Sequence, residues 1–126
     1  KNSNFIFFES LGFENYLSLV NISDGVIGNS SSGIIEVPSL KKATINIGNR
    51  QEGRTRSSSI IDCKLNMSDI ESSIKKLYSK SFQSKITKVY NTYEKKNTTY
   101  RIYLEILNII KKKNVFKKFF LNKKSN

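Results

Sequence analysis

The sequence predicts an α/β fold in which short parallel strands alternate with helices. Three observations support this prediction. Short apolar or β-branched runs alternate with segments whose apolar residues recur at helical spacing. The connections between these segments are short, as in β-α-β units whose strands run parallel. The chain of 126 residues is also long enough for one domain with its own hydrophobic core.

The front part of the chain contains the predicted strands. Four short runs rich in apolar residues are suited to strands: Asn4–Phe8, Gly25–Gly28, Ala43–Ile47 and Ser59–Cys63. Phe13–Ser23 has the apolar stripe of an amphipathic helix, and Ile34–Leu40 is expected to begin a second helix. A polar loop, Gly48–Arg56, follows the third of these strands. The alternation indicates consecutive β-α-β units.

The back part of the chain is predicted to be helical and rich in lysine. Ser68–Tyr78 has apolar residues at helical spacing, and Ser68 with Glu71 matches the spacing of a capping box. Thr98–Lys113 carries a stripe of isoleucines and forms the last predicted helix. Beyond it, residues 114–126 form a tail in which phenylalanine and lysine are mixed.

The net charge of +12 is concentrated in this back part. Residues 1–73 contain 7 Lys or Arg and 8 Asp or Glu, a net charge of −1, whereas residues 74–126 contain 15 and 2, a net charge of +13. A basic chain suggests an anionic partner. The part that carries the predicted strands is nevertheless close to neutral, and a bias toward lysine, asparagine and isoleucine explains the charge without a polyanion.

Residue counts exclude several kinds of site. The chain has no histidine, which excludes imidazole general-base catalysis, a Ser-His-Asp triad and a histidine-bound metal within it. The single cysteine, Cys63, can form neither an internal disulfide nor a thiolate cluster, so we expect a reducing compartment and a small core residue. No run of about 18 apolar residues suits a membrane span, and the opening residues lack a signal-peptide pattern. A first residue other than Met is consistent with the back end of a longer protein.

The loop Gly28–Gly33 is the most informative stretch of the sequence. It consists of small residues between a predicted strand and a predicted helix, where backbone N–H groups can approach an anion such as phosphate. Its two glycines are spaced as in a P-loop, but Ile34 and Ile35 stand where that motif requires Lys and Ser or Thr, which disfavours a magnesium–nucleotide site. Capping of the helix by a serine-rich turn explains the loop equally well.

Charged residues near this loop also allow two interpretations. Glu36, in the first turn of the predicted helix, either compensates the helix dipole or accepts hydrogen bonds from ribose hydroxyls. Arg50, Arg54 and Arg56 follow the next strand and are either solvated charges or ligands of a diphosphate. The carboxyl ends of neighbouring parallel strands meet at one edge of a sheet, where α/β folds bind ligands. We therefore expect both loops to lie at one site.

Taken together, residues 26–39 (VIGNSSSGIIEVPS) and 44–54 (TINIGNRQEGR) resemble the hydrolysing UDP-N-acetylglucosamine 2-epimerases of sialic and legionaminic acid biosynthesis. The resemblance implies the C-terminal half of a two-domain GT-B fold, with a Rossmann-like sheet and C-terminal helices. Residues 1–113 would then be a UDP-binding domain, and residues 114–126 a basic tail beyond it.

The resemblance also implies roles for individual residues. Ser30 and Ser31 match the serines that hold the UDP phosphates, and Glu36 matches the glutamate on the ribose hydroxyls. Arg50 matches the arginine at the nucleotide site, and the main chain of Leu11 matches a position on the uracil side. These five residues are the predicted UDP-binding site. The match gives Arg54 no defined role.

The activity that the resemblance implies belongs to a longer protein. Members of the family convert a UDP-2-acetamido sugar to the 2-epimeric free sugar, of the N-acetylmannosamine type, plus UDP. Their acid–base residues lie in a preceding domain, so we expect no catalytic residue in this chain, which alone would be inactive. No metal or redox cofactor is implied. The expected partners are the UDP-sugar, UDP, the missing N-terminal domain and further copies of the chain, in the cytoplasm.

Three alternatives stay open on the sequence. The substrate could be UDP-N,N'-diacetylbacillosamine, because the sugar contacts lie mainly outside this chain. The positive charge could instead serve a nucleic-acid-binding module, although the lysines lack the arginine and aromatic interleaving of single-strand binders. The alternation of basic and phenylalanine-rich stretches from Lys111 to Lys124 could attach the chain to a membrane surface.

Overall fold

The computed structural model describes residues 4–112. The chain divides into two compact units between Glu94 and Lys95. The first unit holds a three-stranded parallel sheet with helices, and the second holds one helix of the described chain. The predicted α/β class with a parallel sheet is confirmed. The predicted tail, residues 114–126, lies outside the described residues.

The sheet has the strand order β1-β2-β3, with all neighbours parallel. The strands are β1 (Gly25–Gly28), β2 (Ala43–Ile47) and β3 (Ile60–Cys63). The register pairs Gly28 of β1 with Asn46 of β2, and Ile47 of β2 with Cys63 of β3. Among the described residues β1 pairs with β2 alone, so its other edge is open. The carboxyl ends of the three strands therefore lie side by side.

The described chain has five α-helices: α1 (Gly12–Ile22), α2 (Ser32–Ile35), α3 (Met67–Leu77) and α4 (Lys80–Ile86) in the first unit, and α5 (Thr98–Lys111) in the second. A single turn of 3₁₀ helix, Val37–Leu40, continues α2 and ends at Lys41, which has a left-handed backbone. The predicted helix over 34–40 is thus two short helices. Pro38 is the second residue of the 3₁₀ helix, in its first turn, where a backbone N–H has no partner within the helix and its absence costs no hydrogen bond.

The prediction of a strand at Asn4–Phe8 is wrong. The segment has no regular structure, and its four apolar side chains, Phe5–Phe8, are 59–89% exposed. A continuous apolar run forms a buried strand only when both of its faces are covered. In the described chain neither sheet pairing nor packing covers them.

The predicted capping box of α3 is also wrong. The helix begins at Met67, and the side chain of Asn66 accepts a hydrogen bond from the backbone N–H of Asp69 at 2.9 Å. Ser68 lies inside the first turn instead of preceding it. The sequence did not predict α4, which Ser79 caps by accepting from the N–H of Phe82 at 3.3 Å.

The core of the first unit lies between the sheet and the helices α3 and α4. Its buried members are Ala43, Ile45, Ile61, Cys63, Leu77, Phe82 and Ile86. Cys63 is thus a small core residue, as predicted. Tyr78, at the end of α3, donates a hydrogen bond from its hydroxyl to Asp24 Oδ2 at 3.0 Å, and this bond raises the pKa of Tyr78. The bond fastens the end of α3 to the residue that precedes β1.

In the second unit, α5 is amphipathic in sequence and begins directly after Asn97, which has a left-handed backbone. The rings of Tyr100 and Tyr103 stack on each other, with centroids 6.3 Å apart. None of the helices in residues 4–112 is long and apolar enough to cross a membrane.

Candidate functional site

A cleft of about 790 Å³ opens at the carboxyl end of β1. Its walls come from the start of α1, from β1, from the serine-rich loop and α2, and from Thr44 of β2. Leu11, Ser30 and Glu36, three of the predicted site residues, line this cleft. Ser31 and Arg50 lie beside it. The structure therefore brings the serine-rich loop and Glu36 to one site, as expected for the carboxyl edge of a parallel sheet.

Glu36 carries the most informative geometry in the cleft. Its side chain lines the cavity, and its Oε2 atom is buried without a hydrogen-bond partner among the described residues. A buried carboxylate oxygen without a partner is unfavourable by about 1–3 kcal/mol or more. Glu36 thus brings a carboxylate oxygen without a partner in the described chain to the wall of the cleft. The prediction that Glu36 lies in the first turn of the helix is wrong, because Glu36 is the C-terminal cap of α2, where a negative charge opposes the helix dipole instead of compensating it.

The serine-rich loop is shaped partly by its own hydrogen bonds. Ser30 Oγ accepts from the backbone N–H of Ser32 at 3.3 Å, and the Ser31 carbonyl accepts from Ile34 and Ile35 at 2.9 Å. The Ser31 hydroxyl makes no capping bond, although Ser31 is the N-cap of α2. Ser30 thus supports the turn that precedes α2, whereas no capping bond accounts for the Ser31 side chain.

Gly33 holds this loop against the sheet. A Cβ atom at Gly33 would lie 2.6 Å from Thr44 Cγ2, so only glycine lets α2 approach β2 this closely. Thr44 Oγ1 donates to the Gly33 carbonyl at 2.7 Å and is itself buried. Ser32 Oγ donates to the Tyr16 hydroxyl of α1 at 3.0 Å. These contacts fix the loop between α1 and β2.

The Gly48–Arg56 loop brings Arg50 to the same place. Arg50 Nη1 lies 3.5 Å from Asn29 Oδ1, and the Gln51 side-chain amide donates to the Asn29 carbonyl at 2.8 Å. Arg56 is occupied within the protein, since its Nε donates to both Asp62 carboxylate oxygens at 3.1 Å. Of the three arginines predicted at a diphosphate, Arg50 is thus the one beside the serine-rich loop.

The cleft walls are aromatic and acidic. Phe8, Phe13 and Tyr16 supply aromatic surface, whereas Glu9 and Glu36 are the ionisable carboxylates and no lysine or arginine lines the cleft in the described chain. Such an interior is suited to a planar, uncharged group that donates hydrogen bonds. An attached anion is better accommodated outside it, where Arg50 lies.

The sequence did not single out Asn29, Gln51 or Tyr16. Each acts through a hydrogen bond to a residue far along the chain, and no local pattern marks such a bond. No group of three or more His, Cys, Asp or Glu residues is placed to hold a metal ion within residues 4–112.

Comparisons with known proteins agree on one family. The family model for UDP-N-acetylglucosamine 2-epimerase matches residues 1–107. The chain is 43% identical over 114 residues to the Escherichia coli polysialic acid biosynthesis protein P7, which covers 90% of this chain and 29% of that protein. It is 50% identical over 76 residues to the hydrolysing GDP/UDP-N,N'-diacetylbacillosamine 2-epimerase of Campylobacter jejuni, which covers 60% of this chain and 19% of that enzyme.

A third relative is the UDP-N-acetylglucosamine 2-epimerase of Neisseria meningitidis, 39% identical over 61 residues, with 48% of this chain and 16% of that enzyme covered. The chain therefore spans less than a third of the length of these relatives.

Proposed function

Because the chain belongs to the UDP-N-acetylglucosamine 2-epimerase family, we propose that residues 1–113 are the UDP-binding half of a hydrolysing UDP-sugar 2-epimerase. The partly buried carboxylate of Glu36, whose Oε2 has no partner in the described chain, is the observation that carries the proposal. Ribose hydroxyls are donors that would satisfy it, and the acidic, aromatic cleft is suited to an uncharged nucleoside.

In the proposed complex the diphosphate lies at the rim of the cleft. Ser30 and Ser31 donate hydrogen bonds to it, and Arg50 supplies the positive charge that the walls lack. Leu11, at the start of α1, lies on the base side of the cleft. The five residues thus form two subsites. Glu36 and Leu11 face the uncharged nucleoside, and Ser30, Ser31 and Arg50 face the diphosphate, in the anionic subsite.

The proposed reaction needs no redox step. A base removes the proton from C2 of the sugar, and the bond from C1 to the UDP oxygen breaks to leave a C1–C2 double bond. Water then adds hydroxide to C1 and a proton to the opposite face of C2. The free 2-epimeric sugar and UDP are the products, and the role of this chain is to hold the leaving UDP.

Two sugars fit the proposal. The relatives include an enzyme named for UDP-N-acetylglucosamine and another named for a diacetylbacillosamine nucleotide. We favour a UDP-2-acetamido sugar that yields an N-acetylmannosamine-type product, and we keep UDP-N,N'-diacetylbacillosamine as the alternative substrate. Release of UDP from each substrate by the full-length enzyme distinguishes them.

Calorimetric titration of the full-length protein with UDP and 2'-deoxy-UDP tests the role of Glu36. Glu36→Gln should weaken UDP binding about tenfold and 2'-deoxy-UDP binding much less, because the lost partner is a ribose hydroxyl. Glu9→Gln is the matched control, since it removes the same charge from the same cleft.

The control should not weaken UDP binding. The proposal fails if the wild-type protein does not bind UDP, or if Glu36→Gln weakens UDP and 2'-deoxy-UDP binding equally.

A further inference from the structure

The side chain of Gln51 is buried in a loop that is otherwise exposed. Gln51 is 4% exposed, whereas the rest of the segment from Gly48 to Thr55 is exposed. Burying an amide is unfavourable unless it makes hydrogen bonds. Its Nε2 donates to the Asn29 carbonyl at 2.8 Å, but its Oε1 has no partner among the described residues. Within the described chain, the hydrogen bond to Asn29 is therefore the one side-chain bond that offsets the burial of Gln51.

The main chain of Gln51 is held from the opposite side. Arg56 Nη1 donates to the Gln51 carbonyl at 2.8 Å and to the Arg54 carbonyl at 2.6 Å. Arg56 Nε is in turn paired with Asp62 of β3, which also accepts from Asn46 of β2 at 2.7 Å. The loop is thus tied to the two strands that precede and follow it.

These bonds form one continuous path across the carboxyl edge of the sheet. The path runs from Asp62 through Arg56 to Gln51, and from Gln51 to Asn29 after β1. Asn29 directly precedes Ser30, and its side chain is the nearest partner of Arg50. The hydrogen bond from Gln51 to Asn29 therefore sets the distance between the serine-rich loop and Arg50 in the proposed anionic subsite.

From this geometry we infer that Gln51 is a positioning residue for the diphosphate subsite. It does not touch the nucleotide, because its side chain is buried; it holds Asn29 so that the serine-rich loop and Arg50 face one anion together. This inference rests on the proposed function. It adds that the preference for UDP over uridine depends on Gln51.

The inference is tested by measuring the affinity of the full-length enzyme for UDP and for uridine by NMR titration. Gln51→Met, which keeps the length of the side chain but removes the amide, should weaken UDP binding about tenfold and leave uridine binding unchanged. The ratio of the two affinities is the readout, because general destabilisation would weaken binding of both ligands. Thr55→Ala, in the same exposed loop, is the control and should leave the ratio at its wild-type value.

Arg56→Lys provides a second, independent variant, since it removes the forked bonds that hold the Gln51 carbonyl but keeps the charge. Arg56→Lys should lower the ratio of UDP affinity to uridine affinity. If Gln51→Met does not fold, this variant alone tests the inference. Unchanged ratios in the folded variants would overturn the inference. A wild-type enzyme that binds neither ligand would instead overturn the proposed function.

Discussion

Gly33 shows how one small residue determines the position of the site. Its missing side chain lets α2 lie against Thr44 of β2, and this contact supports the loop that carries Ser30 and Ser31. A larger residue must move either the loop or the strand. The strand is central and buried, so the loop is the part that gives way.

We expect Gly33→Ala to lower the free energy of unfolding by about 1–3 kcal/mol, because its Cβ would lie 2.6 Å from Thr44 Cγ2. Thr44→Ser removes this methyl group and keeps the hydroxyl that donates to Gly33. The double variant should therefore recover most of the loss. Urea unfolding of the two single variants and the double variant measures the coupling, and additive losses would contradict the steric explanation.

The helices differ in how completely local sequence determines them. α1 was predicted within one residue of each end because its apolar stripe is local and continuous. α4 was missed because it has seven residues and only two buried apolar side chains, Phe82 and Ile86. The cap of α3 was misplaced because Ser68 and Glu71 have the spacing of a capping box, yet Asn66 makes the bond.

Replacement of Asn66 by alanine should therefore lower the free energy of unfolding more than replacement of Ser68 does. Asn66→Ala leaves the backbone N–H of Asp69 without its acceptor and should destabilise the chain by about 1 kcal/mol. Ser68→Ala, the matched control within the first turn, should change stability by less than about 0.5 kcal/mol. Comparing the urea unfolding midpoints of the two variants checks this, and equal losses would favour a capping role for Ser68.

At the scale of the molecule, the strand pattern predicted the sheet, and the positions of the two loops after neighbouring strands predicted that they would meet, as Gln51 and Asn29 do. The path that fixes Arg50 could not be predicted, since Gln51 and Asn29 are 22 residues apart and are joined by one tertiary hydrogen bond. The composition of the Asn4–Phe8 run is that of a buried strand and so predicts one. Composition does not reveal whether a neighbour is present to cover it.

Within residues 4–112 one edge of β1 has no neighbouring strand, and this has a consequence for the behaviour of the chain in solution. Unpaired N–H and C=O groups along an exposed strand are a template for the strand of another molecule. Ile27 on that strand is 52% exposed, so intermolecular pairing there would also bury apolar surface. The isolated chain is therefore expected to self-associate as its concentration rises.

Ile27→Lys should suppress this association, because a charge on an edge strand disfavours intermolecular pairing. Ile22→Lys is the matched control, as Ile22 is 81% exposed at the end of α1 and is not part of the strand. Sedimentation velocity over a range of concentrations distinguishes the two variants, and equal suppression by both would place the association elsewhere. Solubility of this chain is thus expected to depend on whether β1 has a neighbour, more than on its net charge.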